Sequence, residues 1–123
     1  MLIRILFLFL TSTFMNPPGS IAKPGELKKG RFRGINYHFF VPDSVKPISS
    51  LTPLVVMLHG CLQNAEDFAA GTRMNELAQE KRFSVLYPEQ SKSANNMNCW
   101  NWFIKENQSR GEGEPDKIVS IVK

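Results

Sequence analysis

The 123-residue sequence is poor in the residues on which small specialised scaffolds rely. Two cysteines, two histidines, 8 glycines and 8 prolines are too few for a disulfide-dense scaffold, a collagen-like repeat or a Pro/Gly-rich disordered chain. Cys61 and Cys99 form no C-x-x-C pair and only His59 stands near either, which argues against zinc. No other residues are grouped to hold a metal or an organic cofactor. No run of five like charges occurs, so the formal charge of +4 leaves no nucleic-acid footprint. The longest apolar run, Ile5 to Leu10, stops at Thr11-Ser12-Thr13, far short of the roughly 20 residues a membrane helix needs. Repeats and low-complexity tracts are absent, and the length allows one domain at most.

What is present begins with Arg4, the apolar run, the helix-breaking Asn16-Pro-Pro-Gly-Ser20 stretch and then Ser20-Ile21-Ala22. That is the order of a secretory signal peptide cleaved after Ala22, the other reading being an uncleaved N-terminal anchor. The division expected is therefore residues 1–22 as signal peptide and 23–123 as the exported domain, secreted to the periplasm or beyond and free of the membrane after cleavage. An oxidising compartment favours a disulfide over a metal site.

In the exported part, Lys23 to Gly30 is polar and suits an exposed lead-in. Arg31 to Val41 alternates, with Ile35, Tyr37, Phe39 and Val41 on one side and Asn36 and His38 on the other, which predicts a half-buried antiparallel strand. A Ser- and Pro-rich loop follows to Pro53. Leu54 to Leu58 lacks alternation, as a strand covered on both faces would. Asp67 to Lys81 places Ala70, Met74, Leu77 and Ala78 at helical spacing, and Phe83 to Tyr87 is a second short apolar run closed by Pro88. Strand, helix and parallel strand are expected from Leu54 to Tyr87. A long polar loop then leads to Cys99-Trp-Asn-Trp-Phe103. Pro115 suits the first turn of a helix, with Glu114 and Asp116 at its positive end and Ile118, Val119 and Val122 inward.

The strand that ends in His59-Gly60-Cys61 has one reading as an ordinary βα turn and another as a turn that offers the Cys61 N–H to a substrate carbonyl oxygen. Gly60 would relieve the crowding that a Cβ brings to such a turn. The string LVVMLHGCLQNAEDFAAGTRMNELAQEKRFSVLYPEQ, followed by CWNWF and RGEGEP, resembles the poly(3-hydroxybutyrate) depolymerase family of secreted serine esterases, relatives of feruloyl and acetylxylan esterases. The resemblance implies an α/β class: the N-terminal part of an α/β-hydrolase fold, a mostly parallel sheet with flanking helices, incomplete within these residues. It implies ester or polyester substrates, an oxyanion turn at His59, Gly60 and Cys61, and a pocket wall at Trp100 and Trp102. Both tryptophans also have a plain reading as core.

One departure from the family pattern is equally specific. No serine stands in a G-x-S-x-G elbow, so these residues supply no catalytic triad. A Cys61 nucleophile served by His59 is conceivable, but a Cys61–Cys99 disulfide is the better use of the thiol, two free buried thiols being the alternative. The leading expectation is the N-terminal portion of a secreted esterase, inactive alone, its partner being a separately encoded C-terminal half if one exists. The other is a stand-alone secreted module that binds an ester or polymer. Mass analysis of exported protein should give a chain that starts at Lys23; an intact Met1 would remove the cleavage.

Overall fold

The structure, a computed structural model, describes residues 25–123. The segment expected to be a signal peptide, residues 1–22, lies outside them. A four-stranded sheet runs in the order β1-β2-β4-β3, formed by β1 (Glu26–Phe32), β2 (Ile35–Val41), β3 (Leu54–Val56) and β4 (Ser84–Glu89). β1, β2 and β4 pair antiparallel in turn, and β3 pairs parallel with β4. The sheet is thus mixed rather than mostly parallel. The expected parallel pair is present, with α1 (Ala65–Thr72) and α2 (Met74–Lys81) in its crossover and α3 (Gly113–Val122) further on.

Four local expectations give way to specific backbone features. The polar lead-in is itself strand β1, because Arg33 and Gly34 both take positive φ (46° and 85°) and make the two-residue hairpin loop whose twist suits paired strands. Its residues are largely exposed, which is why polarity alone suggests a loop. The single helix from Asp67 to Lys81 is two helices, interrupted at Arg73, which sits in the left-handed region at φ 52°. That break shifts the helical phase: Ala65, Ala69 and Ala78 are buried, while Ala70 and Leu77 face water. β3 is a short edge strand, half-buried to exposed rather than covered on both faces. In α3, Pro115 does lie in the first turn, but Ile118 and Ile121 are the half-buried residues and Val119 and Val122 are exposed.

β4 is the centre of the fold, buried from Ser84 to Pro88. One face carries Val85 and Tyr87, which join Phe40 of β2 and Ala65, Ala69 and Ala78 of the helices in the core. The Tyr87 hydroxyl donates to Asn75 Oδ1 at 2.7 Å, and burial pushes its pKa up to about 12. The other face turns Tyr37, Phe39, Leu54 and Leu86 toward a cavity of about 520 Å³ that Ile48 and Ile121 also border. At its carboxyl end β4 reaches α1: Asn64 Oδ1 caps the Asp67 N–H at 2.8 Å and Glu89 Oε2 accepts from the Ala65 N–H at 3.0 Å. Among the described residues no helix is long and apolar enough to cross a membrane.

Because His38 lies on the sheet face that α1 and α2 cover, the outward place expected for it is wrong. His38 lies opposite Tyr87, is 8% exposed, and its Nδ1 has no hydrogen-bond partner among the described residues. Burial first, and then the Lys29 charge, hold its pKa below the usual 6.5, against smaller opposing pulls from Glu89 and Glu66. With the folded value depressed, the unfolded chain takes up the proton first. Stability should be level above about pH 6.5, decline as the pH falls below it, and flatten once folded His38 is protonated too. Urea titrations at stepped pH should show this decline in the native chain and a reduced one in His38→Phe.

Candidate functional site

β3 and β4 both end on the same side of the sheet, where open α/β sheets present ligand sites. His59 follows β3 and Gln90 follows β4. The His59 ring is 2% exposed and lies between two backbone groups: Nε2 is 3.1 Å from the Gln90 nitrogen and Nδ1 is 2.8 Å from the Gly60 carbonyl oxygen. The Gln90 N–H is a donor only, so Nε2 is the bare nitrogen and the proton sits on Nδ1.

The amides that follow are unevenly used. The Gly60 N–H donates to Gln63 Oε1 at 2.8 Å, and the Leu62 N–H to the Met97 carbonyl at 2.7 Å. Among the described residues the Cys61 N–H between them has no partner. Leu62 takes φ 61°, a conformation that costs a non-glycine residue roughly 1–2 kcal/mol. A Cβ at Gly60 would come only within 3.1 Å of Gln63 Oε1, so the glycine eases the side-chain cap more than the chain's own path.

A disulfide joins Cys61 to Cys99, which fastens the turn to the loop carrying the tryptophans. It also removes the thiol from service as a nucleophile, and with His59 Nε2 already accepting a bond, the Cys61–His59 pairing conceived from sequence has neither of its parts. Trp100 Nε1 donates to the His59 carbonyl at 3.1 Å, and the two rings sit 5.6 Å apart, tilted by 44°. Trp102 does not join them. It is 73% exposed and packs edge-on against Phe103.

The groups that sequence reasoning missed are the amides and carboxylate beneath this loop. Buried Gln90 donates from Nε2 to the Cys99 carbonyl at 3.2 Å and to Glu114 Oε1. Glu114 accepts the Asn101 N–H at 2.8 Å and the Asn101 side-chain amide at 2.7 Å. Asn107 Oδ1 caps the Glu114 N–H at 2.7 Å, and Gly113 permits that approach: at φ 59°, its Cβ would stand 2.1 Å from the same oxygen. Asn95 Oδ1 holds the Met97 N–H at 3.0 Å. The available signals were the place of Gln90 just after a buried parallel strand and the density of asparagine in a long loop.

Chemically, the arrangement can offer one preoriented N–H to an electron-rich oxygen. The cavity of about 520 Å³ is elsewhere and is lined by none of His59, Gly60, Cys61, Trp100 or Trp102. Among the described residues no cluster of three or more His, Cys, Asp or Glu is placed to hold a metal ion.

The profile of the family described as Esterase PHB depolymerase matches residues 35–123. The sequence is 40% identical over 70 residues to poly(3-hydroxyalkanoate) depolymerase C of Paucimonas lemoignei, covering 57% of this chain and 17% of that protein. Poly(3-hydroxybutyrate) depolymerase of Delftia acidovorans is 35% identical over 87 residues, covering 67% of this chain and 17% of the relative. Feruloyl esterase B of Thermothelomyces thermophilus is 28% identical over 89 residues, covering 72% and 28%. The chain thus spans between 17% and 28% of these relatives' lengths.

The two tryptophans should respond differently to substitution. Trp100→Phe removes the bond to the His59 carbonyl and should cost about 1 kcal/mol in urea unfolding. Trp102→Ala, on an exposed side chain, should stay within about 0.5 kcal/mol of the native chain. Equal losses would contradict this placement.

Proposed function

The chain belongs to the Esterase PHB depolymerase family, and on that footing we propose that residues 23–123 form the oxyanion-stabilising portion of a secreted carboxylic-ester hydrolase of the α/β-hydrolase type. The observation that carries the proposal is the unpartnered Cys61 N–H between two amides already in use. A carbonyl under attack gathers negative charge on its oxygen, and an N–H fixed in advance stabilises that charge without reorganising during the reaction. His59 and Gly60 shape the turn, the Cys61–Cys99 bridge secures it, and Trp100 braces it. Trp102 is left as the exposed aromatic of the substrate side.

The substrate class is an ester or polyester, in keeping with the names of the relatives. Nucleophile, base and acid are not among these residues: no serine stands in a G-x-S-x-G elbow, and Ser91 and Ser93 hydrogen-bond each other at 3.0 Å. Export is supported by the Arg4, Ile5–Leu10 and Ser20-Ile21-Ala22 pattern together with a disulfide suited to an oxidising compartment.

The 123-residue chain should show no turnover of p-nitrophenyl butyrate above a heat-killed control. Fused to the part of the Paucimonas lemoignei depolymerase that follows its matching region, it should hydrolyse the ester. Loss of a single oxyanion donor costs on the order of 10²- to 10³-fold in kcat, so a folded fusion that turns over no ester would sink the role given to this turn. Turnover by the unfused chain would sink the placement of the triad elsewhere.

A further inference from the structure

We infer that Gln90, anchored by Glu114, is the positioning residue that aims the Cys61 N–H; this rests on the oxyanion reading above. The Gly60 carbonyl and the Cys61 N–H belong to one planar peptide unit, and in a trans peptide they point in opposite directions. Whatever holds the carbonyl therefore aims the N–H. Two donors hold it: His59 Nδ1 at 2.8 Å and the Gln63 N–H at 3.3 Å.

The shorter of these bonds depends on the tautomer of His59. A neutral imidazole has one protonated nitrogen, and a donor held against Nε2 confines that proton to Nδ1. The Gln90 N–H engages it at 3.1 Å. The place of that backbone N–H is set in turn by the Gln90 side chain, 4% exposed. Its Nε2 binds the Cys99 carbonyl and Glu114, and its Oε1 accepts the Ser91 N–H at 3.1 Å. Asn98 Nδ2 reaches the Gln90 carbonyl at 3.4 Å. Four polar contacts thus orient a residue whose one bond outward fixes the ring, and the ring fixes the peptide. Gln90 touches no reacting atom in this scheme; it acts through His59.

The test uses the oxidised 123-residue chain and reads the ¹⁵N resonances of the His59 ring and the amide resonance of Cys61. The native chain should show a single Nδ1-protonated tautomer. Gln90→Ala keeps the backbone N–H but frees it to drift; it should give a mixture of tautomers and move the Cys61 amide, leaving the β1–β2 hairpin amides in place. Glu114→Gln, which keeps size but not charge, should do the same to a smaller degree, and it decides the matter if Gln90→Ala fails to fold. A lower unfolding midpoint with the His59 ring and Cys61 amide unmoved would make Gln90 a stability residue only and overturn the inference. These signals do not depend on ester turnover. An inactive fusion with the resonances shifted as expected removes the oxyanion reading and leaves the positioning intact, and an active fusion with unmoved resonances does the reverse.

Discussion

A half-buried carboxylate that accepts N–H groups from two points of one long loop ties those points together more firmly than neutral contacts do, because a charged acceptor roughly doubles the strength of each bond. Glu114 is in that position. It sits in the first turn of α3, where the helix dipole favours a negative charge, and it gathers Gln90 and Asn101 onto one side chain. Without it the Asn101 N–H would lose its acceptor, at a cost of about 1–3 kcal/mol for an unsatisfied buried group. The site rests on this network more than on the sheet's apolar core, to which Val85 and Tyr87 belong.

The bridge and the network perform different tasks. Closing a 38-residue separation with a disulfide restrains the unfolded chain by about 4 kcal/mol in the loop-entropy picture, and it keeps the turn near the tryptophan loop. A covalent tether between side chains does not fix the rotation of a peptide plane, however. That rotation is set by hydrogen bonds at the Gly60 carbonyl and by the left-handed Leu62 next to the bridge. Strain at a single residue persists where the surroundings are rigid, and here the Leu62 N–H to Met97 bond and the bridge supply that rigidity from either side.

The parts legible in the sequence were those written in apolar pattern. Phe83 to Tyr87 read as a strand, and β4 covers Ser84–Glu89; Pro115 marked the first turn of a helix, and the run ending at His59 stood out by its abrupt change from Met57-Leu58 to His-Gly. The parts that were not legible turn on single backbone dihedrals or on polar side chains that satisfy one another. Arg33 and Arg73 carry no compositional sign of positive φ, yet the first makes a hairpin out of a lead-in and the second splits a helix and rotates its buried face. His38 was misplaced because alternation separates the two faces of a sheet without saying whether the second is covered. Gln90, Asn95, Asn101 and Glu114 look like solvated loop residues one by one, and only their mutual distances reveal a buried network.

That contrast bears on how a site of this kind tolerates change. An apolar core distributes its free energy over many weak contacts, so the loss of one methyl group removes only a share of it, about 0.5–1.5 kcal/mol. The path from Glu114 through Gln90 and His59 to the Gly60–Cys61 peptide is instead serial, and each link has a defined donor and acceptor. A serial path fails at its weakest link whatever the strength of the others, and the weakest here is the 3.1 Å bond from the Gln90 N–H to an uncharged imidazole nitrogen. His59 is shielded from water on the ring face that Trp100 approaches and by the Gly60 carbonyl, which leaves Nε2 no competing donor in the described structure. The Gln90 N–H is therefore the donor that keeps the proton on Nδ1, and burial of the ring leaves it without a rival among the described residues.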